Sequence, residues 1–259
     1  MSDDEFGAFF EEPEDFRPPA PEPHQTLYQR KLDGVSPKEI KLRLVGSLPL
    51  WGHMLWNAGI YTADFLDKHS QDLVNGKRVL EVGAAAGLPS LICSLNDAAK
   101  VVCTDYPDAD LITNIQTNFD MLKEEASLAP HLVTGYIWGQ DLRPLVGRDT
   151  TDDKPELTDN EKFDLCILSD VVFNHNQHHA LLETCRKALK SNGRALVVFS
   201  PHRPWLLEDD LQFFTTCEEH QLKAEKIEMV NWKPMFDEDP ETVEIRLRIY
   251  AYYLVPQWD

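Results

Sequence analysis

Apolar segments of strand length alternate with segments of helical length from Lys77 onward, and this alternation constrains the fold more than any other feature. The strand candidates are residues 78–83, 100–105, 132–138, 163–170, 194–200, 223–230 and 243–255. Segments of helical length lie at residues 87–97, 108–125, 175–190 and 205–220. Strands that alternate with helices predict a parallel sheet with crossover helices. The loop between the last two strands is too short for a crossover helix, so we expect these strands to form an antiparallel pair at one end of the sheet.

The part of the chain before this core is less regular. Residues 26–50 favour two short strands, or one strand and a loop, and residues 54–73 favour a helix. Residues 1–24 carry seven acids in their first fifteen positions and then several prolines, which predicts a flexible acidic arm. Four aromatic residues in the arm leave open that it folds over a groove as a lid: Phe6, Phe9, Phe10 and Phe16.

We therefore predict an α/β fold, namely a Rossmann-like, seven-stranded, mostly parallel sheet with an antiparallel last strand pair, helices on both faces and an N-terminal extension. The predicted organisation is a flexible arm at residues 1–24 and a single domain at residues 25–259. Within that domain, residues 25–76 form the extension and residues 77–259 form the core.

The composition restricts the partners. With 25 Lys and Arg against 44 Asp and Glu the net charge is -19, and so acidic a surface repels nucleic-acid phosphates. It suits a small substrate or a basic protein, although acidity that serves only solubility explains the charge equally well.

No apolar run reaches the roughly 20 residues needed to cross a bilayer, and the acidic N-terminus lacks signal-peptide features. Five cysteines without a C-x-x-C pair are typical of core thiols in a reducing compartment. We expect a cytoplasmic monomer that binds neither nucleic acid nor membrane.

The segment RVLEVGAAAGLPS (residues 78–90) predicts a ligand site at the end of a buried strand. The strand ends at Gly83, a turn of small residues follows, and a helix opens at Leu88. Small residues let a ligand approach the backbone, and the start of a helix offers free N–H groups. Ala85 stands where the dinucleotide fingerprint G-x-G-x-x-G has its second glycine, which disfavours a dehydrogenase.

Two carboxylates restrict the chemistry of the ligand. Glu81, inside the strand, would repel a pyrophosphate but tolerate a cationic or zwitterionic ligand. Asp105 ends the next strand, where an acid can accept hydrogen bonds from both hydroxyls of a ribose. A nucleoside whose other half is positively charged fits S-adenosylmethionine. The alternative is that the turn and the aspartate form only an ordinary α/β loop.

At these residues the chain resembles the class I, seven-strand S-adenosylmethionine-dependent methyltransferases, over roughly residues 50–255. VLEVGAAAGLPS looks like the first motif of that family and VVCTDYPD like the second. LWNAGIY, YIWGQDL and SDVVFNH resemble the branch of protein-lysine methyltransferases. The acidic start with FEEPEDFRPP, LWNAG and FNHNQHHALL looks closest to the fungal enzymes that modify the N-terminal glycine and adjacent lysine of elongation factor 1-alpha.

The resemblance implies an S-adenosylmethionine-dependent N-methyltransferase whose partner is a basic protein, with the N-terminus of elongation factor 1-alpha as the implied substrate. It implies a cofactor site formed by Trp56, Glu81, Gly83, Ala84, Ala85, Gly87, Asp105, Tyr106, Trp138 and Ser169. Core packing is the alternative role for both tryptophans. A small-molecule, nicotinamide-like N-methyltransferase and a non-catalytic binding module on the same fold remain open. Base methylation is disfavoured, because no Asn/Asp-Pro-Pro-aromatic segment follows the fourth strand.

The chemistry requires a neutral amine aligned with the methyl group. At pH 7, removing the proton costs about 4.6 kcal/mol for a lysine and about 1.4 kcal/mol for an α-amine, so an N-terminal amine is the easier target. We expect Asp170 to bind and orient the ammonium while the proton passes to water. Phe173 replaces the tyrosine that many lysine-methylating relatives carry, and would form an aromatic wall without the hydroxyl. Asn174 would accept a hydrogen bond from the amine or cap the following helix.

Three histidines after the fourth strand raise the question of a metal. His175, His178 and His179 stand at positions i, i+3 and i+4, a spacing that can hold zinc on one helix face. The predicted chemistry needs no metal and no second cluster supplies ligands, so we predict no metal site. We expect Asn174 or Asn176 to cap the helix, and His178 and His179 to lie on its partly exposed face.

Overall fold

The computed structural model describes residues 22–46, 53–151, 153–235 and 241–258, so the predicted arm and lid lie almost entirely outside the described residues. The strands are β1 (His24–Gln29), β2 (Glu39–Leu44), β3 (Arg78–Val82), β4 (Lys100–Asp105), β5 (His131–Gly135), β6 (Phe163–Ser169), β7 (Leu189–Phe199), β8 (Leu222–Asn231) and β9 (Arg248–Pro256). The α-helices are α1 (Asn57–Lys68), α2 (Ser70–Leu73), α3 (Leu88–Leu95), α4 (Ala109–Glu125), α5 (His178–Ala188), α6 (Leu207–Thr216) and α7 (Val243–Arg246). Short 3-10 helices occupy Arg143–Val146, His175–Gln177, Pro204–Leu206 and Cys217–His220. Among the described helices, none combines the length and the apolar composition that a membrane span requires.

The strands from β3 to β9 form one seven-stranded sheet in the order β5-β4-β3-β6-β7-β9-β8. Neighbouring strands from β5 to β7 are parallel, whereas β9 is antiparallel to both β7 and β8. The two remaining strands, β1 and β2, form a separate antiparallel hairpin. The predicted fold is confirmed, including the antiparallel last pair, while the division into arm, extension and core stays a prediction.

Hydrophobic side chains cover both faces of the sheet, because alternate residues of each strand point to opposite sides. On one face Val79 packs in a cluster with Leu66 of α1 and Phe119 of α4. On the other face its neighbour Leu80 packs in a cluster with Leu181 of α5. All five cysteines are buried free thiols, as expected for small core residues.

Three predicted strand boundaries are wrong. The strand β7 begins at Leu189, five residues before the predicted start, and pairs there with Phe163 of β6. The other two boundaries are shifted by local hydrogen bonds. The strand β5 ends three residues earlier than predicted, because Tyr136 begins a turn in which its hydroxyl donates to the carbonyl of Gln140 at 3.0 Å. Residues 243–246 form the helix α7 instead of opening the last strand, because the carbonyl of Thr242 accepts the N–H of Ile245. In both places a hydrogen bond between near neighbours overrides the pattern of apolar residues.

A buried ion pair joins the N-terminal hairpin to α1. The side chains of Arg30 and Asp67 are 3% and 2% exposed. The guanidinium donates from Nε and Nη2 to the two carboxylate oxygens, at 3.0 and 2.6 Å. Asn96, which follows α3, donates a further hydrogen bond to the same carboxylate at 2.9 Å. The two charges compensate each other, and the pair holds α1 between the extension and α3.

Replacing Asp67 by alanine should lower the free energy of unfolding by about 3–5 kcal/mol, because the Arg30 guanidinium would stay buried without its carboxylate. Urea denaturation followed by circular dichroism measures this change. The control is Lys187→Ala, which removes an exposed ion pair with Glu183 at 2.7 Å and should cost less than about 1 kcal/mol. A loss in Asp67→Ala no larger than that of the control would show that the buried pair does not anchor the extension.

Candidate functional site

A cleft opens at the carboxyl ends of β3 and β6, the neighbouring strands between which the order of the sheet reverses. Open α/β sheets bind their ligands at such a point. The cleft is lined by Met54, Leu55, Trp56, Gly59, Glu81, Gly83, Ala84, Ala85, Ala86, Leu88, Pro89, Ser169 and Asp170.

The turn between β3 and α3 forms one wall of the cleft and depends on left-handed backbone at three positions. Gly83, Ala85 and Gly87 have φ angles of 73°, 51° and 76°. Gly83 is also tightly packed, because a Cβ there would lie 2.6 Å from Val171 Cγ1 and 3.3 Å from the Trp138 ring. Glycine at this position therefore meets both a conformational and a steric requirement.

The carboxylate of Asp105 stabilises the turn from the end of β4. Its Oδ2 accepts the N–H of Ala85 at 2.7 Å, and its Oδ1 accepts the N–H of Tyr106 at 2.6 Å. Burial raises the pKa of the Asp105 carboxyl, and these two hydrogen bonds offset only part of that rise. Asp105 is therefore hydrogen-bonded to Ala85, a residue that lines the cleft. The side chain of the next residue, Tyr106, is 53% exposed.

Asn118 of α4 connects the same turn to the N-terminal hairpin. Its Nδ2 donates to the carbonyls of Ala86 and Arg43, both at 2.9 Å. Its Oδ1 accepts the N–H of Arg43 at 2.7 Å. Because Asn118 is buried, these hydrogen bonds are not exchanged with water, and the turn is held from a second side.

Glu81 places a carboxyl group inside the wall of the cleft. Its side chain is 1% exposed, and Oε2 accepts the N–H and the hydroxyl of Ser90 at 3.0 and 2.5 Å. The other oxygen, Oε1, is buried without a hydrogen-bond partner among the described residues. Burial raises the pKa of the Glu81 carboxyl from 4.5 to about 8, although the Ser90 hydrogen bonds lower it. This oxygen is a ready acceptor for an N–H group of a ligand, above all a cationic one.

Asp170 opens the loop after β6 with a left-handed φ angle of 59°. Its N–H donates to the carbonyl of Val198 at 2.7 Å, and its Oδ1 accepts the N–H of Ser200 at 3.1 Å. These two hydrogen bonds hold the carboxylate against the end of β7. Its second oxygen, Oδ2, lies 2.8 Å from Nε2 of His202.

His202 lies between Asp170 and Trp56, which both line the cleft. The centroid of its ring is 4.5 Å from that of Trp56, with the planes inclined at 59°. Burial lowers the pKa of the His202 imidazole, but the charge and hydrogen bond of Asp170 act in the opposite sense and leave it above its ordinary value of 6.5. The predicted Asp170 is therefore part of an aspartate–histidine pair.

The structure brings most of the predicted cofactor residues together. Those that line the cleft are Trp56, Glu81, Gly83, Ala84, Ala85 and Ser169. The other predicted residues do not line it: Gly87 belongs to the same turn, Asp105 and Tyr106 lie at the end of β4, and Trp138 lies in the loop after β5. Trp138 packs against the hydrophobic core as well as beside Gly83, so core packing accounts for part of its position. Phe173 and Asn174 follow Asp170 and are half-buried.

All three histidines after β6 have protein partners; His179 Nδ1 lies 3.1 Å from His220 Nε2. His175 Nε2 lies 2.7 Å from Asp210 Oδ1, and His178 Nε2 lies 2.7 Å from the carbonyl oxygen of Val172. Among the residues that the structure describes, no group of three His, Cys, Asp or Glu side chains is arranged to hold a metal ion.

The predicted cap of the following helix is wrong. A 3-10 turn precedes α5, so the residue before the α-helix is Gln177, and neither it nor Asn174 makes a side-chain capping hydrogen bond. Asn176 lies inside that turn. His178 is buried rather than partly exposed, because its ring packs edge-on against Phe213 at 5.1 Å.

Sequence reasoning missed several residues of the cleft. Ala86, Leu88 and Pro89 belong to the small-residue motif itself, so the motif was sufficient to indicate them. His202 gave a weaker signal, since it follows the end of the strand beside β6 and the carboxyl ends of parallel strands share one edge of the sheet.

Comparison with known proteins identifies the family. A family model described as lysine methyltransferase matches residues 46–220. The chain is 60% identical over 260 residues to the protein N-terminal and lysine N-methyltransferase EFM7 of Debaryomyces hansenii, covering all of both chains. It is 57% identical over 267 residues to the protein of the same name from Candida albicans, again covering all of both chains.

Solved structures agree in fold. A methyltransferase-like protein, SMU.776, complexed with SAH superposes with a TM-score of 0.58 at 12% identity, covering 83% of this chain and 54% of that chain. The predicted fold and class of enzyme are confirmed. The prediction that S-adenosylmethionine is the cofactor agrees with the methyltransferase family and with the SAH-bound structure. Since the family model matches well over half of the sequence and the relatives align along its full length, the chain belongs to the lysine methyltransferase family.

Proposed function

We propose that this methyltransferase uses S-adenosylmethionine to methylate the N-terminal amine, and an adjacent lysine, of a basic protein, with elongation factor 1-alpha as the candidate. The observation that carries the proposal is the cleft at the carboxyl ends of β3 and β6, with an unpartnered Glu81 oxygen in one wall and the Asp170 carboxylate in the other. The names of the relatives, which specify N-terminal and lysine methylation, support the class of acceptor.

The cofactor residues fit a zwitterionic nucleoside. Glu81 Oε1 would accept a hydrogen bond from an ammonium group, which no residue described in the structure supplies. Asp105 has its carboxylate at the turn, where its remaining lone pairs suit ribose hydroxyls. When bound, the cofactor supplies a methyl group activated by a sulfonium. The chain has to hold that methyl group in line with the amine and exclude water, which is mainly a matter of positioning.

The acceptor end of the cleft lies where the loop after β6 begins. The negative charge of Asp170 attracts a cationic amine. Phe173, which lacks a hydroxyl, would pack against the amine and its methylated product, while Asn174 would accept a hydrogen bond. Delivery of a basic N-terminus is favoured by the net charge of -19.

Cofactor binding at pH 6.5 should release about one proton per molecule bound. With a pKa of about 8 the free Glu81 carboxyl is protonated at this pH, and an ammonium group bound against it would favour the carboxylate. Titration calorimetry in two buffers of different ionisation enthalpy measures the proton. Glu81→Gln should bind more weakly without proton release, whereas the exposed Glu183→Gln should behave as the native chain does. Equal release in Glu81→Gln would exclude this carboxyl as the source.

Gly83→Ala should weaken cofactor binding at least about tenfold, because the new Cβ would collide with the buried Val171 and displace the turn that lines the cleft. Binding of S-adenosylhomocysteine, measured at equilibrium, gives the affinity. The matched control is Gly147→Ala, which has a similar φ angle of 81° but nothing within 4 Å of its added Cβ. If both variants bind equally well, the turn does not contact the cofactor.

The substrate is tested with elongation factor 1-alpha purified from cells that lack this enzyme. Incubation with the full chain and labelled S-adenosylmethionine should add methyl groups to the N-terminal peptide, which mass spectrometry detects. A parallel reaction contains nicotinamide instead of the protein. Label on nicotinamide alone would support the small-molecule alternative, and cofactor binding without transfer to either substrate would support a non-catalytic module.

A further inference from the structure

We propose that His202 accepts the proton that the substrate amine must lose before methyl transfer, and that Asp170 is the positioning residue that orients it. The inference rests on the proposed methylation of an amine. It replaces our expectation from the sequence, in which the proton passes directly to water.

The hydrogen bond to Asp170 determines which ring nitrogen is basic. A carboxylate accepts, so His202 Nε2, at 2.8 Å from Asp170 Oδ2, carries the hydrogen. In the neutral imidazole the lone pair is then on Nδ1, which makes no hydrogen bond to the residues that the structure describes. The His202 side chain is 26% exposed, so the imidazole is not sealed inside the protein.

The imidazole is held in place from two sides. Asp170 cannot rotate freely, because its backbone and carboxylate are bonded to Val198 and Ser200 at the end of β7. Trp56 packs against the ring with a centroid distance of 4.5 Å. His202 is not itself a lining residue, but it contacts two residues that line the cleft, Trp56 and Asp170, and so lies directly beside the end assigned to the acceptor.

The charges around His202 suit an α-amine better than a lysine. Burial lowers the pKa of the imidazole, Asp170 and Asp210 of α6 raise it, Arg246 of α7 lowers it, and the net result is above 6.5. The reference pKa of an α-amine is about 8, which is nearer to that of an imidazole than the value of about 10.4 for a lysine. Proton transfer to the imidazole is therefore less unfavourable from an α-amine than from a lysine, and the raised pKa of His202 reduces the remaining cost.

The proposed step conserves atoms and charge. The ammonium gives one proton to Nδ1, and the nitrogen lone pair attacks the methyl carbon. The nitrogen–carbon bond forms as the sulfur–carbon bond breaks, and the electron pair of the broken bond stays on sulfur as a neutral thioether. The product leaves as a methylated ammonium ion, and the imidazolium releases its proton to solvent.

The test compares the full native chain with His202→Gln on a basic peptide that has a free N-terminal glycine. The kcat of His202→Gln at pH 7 should fall about 100-fold or more, while affinity for S-adenosylhomocysteine is unchanged. The deficit should shrink towards pH 9, where more of the amine is already neutral. Asp170→Asn should show a deficit with the same pH trend, because the imidazole loses its orientation.

His175→Gln is the matched control, since His175 pairs with Asp210 at 2.7 Å and is equally exposed, at 26%. It should leave turnover and its pH profile unchanged. If His202→Gln keeps the native turnover and the native pH profile, the inference is overturned. It is also overturned if kcat falls by the same factor at every pH and the variant loses affinity for S-adenosylhomocysteine, because that result indicates a structural role. A native chain that leaves every amine peptide unmethylated would instead overturn the proposed function, and the inference with it.

Discussion

Burial of both faces of the central sheet is the constraint on which the rest of this structure depends. The strands β3 and β6 are enclosed between two hydrophobic clusters, so polar side chains can gather only where the strands end. Glu81 is the exception, because it lies within β3 with one oxygen bonded to Ser90 and the other unpartnered among the described residues. Its raised pKa follows directly from that burial. A carboxyl group in this position is difficult to explain as a stabilising feature and easy to explain as part of a site.

The cleft is held in shape before any ligand arrives. The turn after β3 is bonded to Asp105 at the end of β4 and to Asn118 on α4, and it packs against Val171 after β6. The left-handed residues Ala85 and Asp170 are each fixed by hydrogen bonds to a neighbouring strand end or loop. Strained backbone of this kind persists only where the surroundings determine it, and two of the four described non-glycine residues with a positive φ angle line this cleft.

The chemistry of the acceptor end follows from the same sheet edge. Phe173, in the loop after β6, offers an aromatic ring without a hydroxyl. The His202 imidazole, which follows the end of the adjacent strand β7, is hydrogen-bonded to Asp170 at this edge. In our proposal an α-amine is the preferred acceptor because its reference pKa is nearer to that of an imidazole than the pKa of a lysine is. The agreement with relatives named for N-terminal methylation comes from an independent source.

The sequence by itself determined the order of elements and the small-residue turn. Both depend on interactions between residues close along the chain: apolar alternation for the strands, and the left-handed conformations of Gly83 and Gly87 for the turn. The exceptions are also local, since the turn at Tyr136 and the helix α7 arise from hydrogen bonds that apolar patterns do not encode. Only the tertiary structure decided the aspartate–histidine pair and its contact with Trp56. Asp170 and His202 are 32 residues apart, and they meet because β6 and β7 are parallel neighbours whose carboxyl ends share one edge. That adjacency is a property of the assembled sheet, so no local pattern in the chain could have specified it.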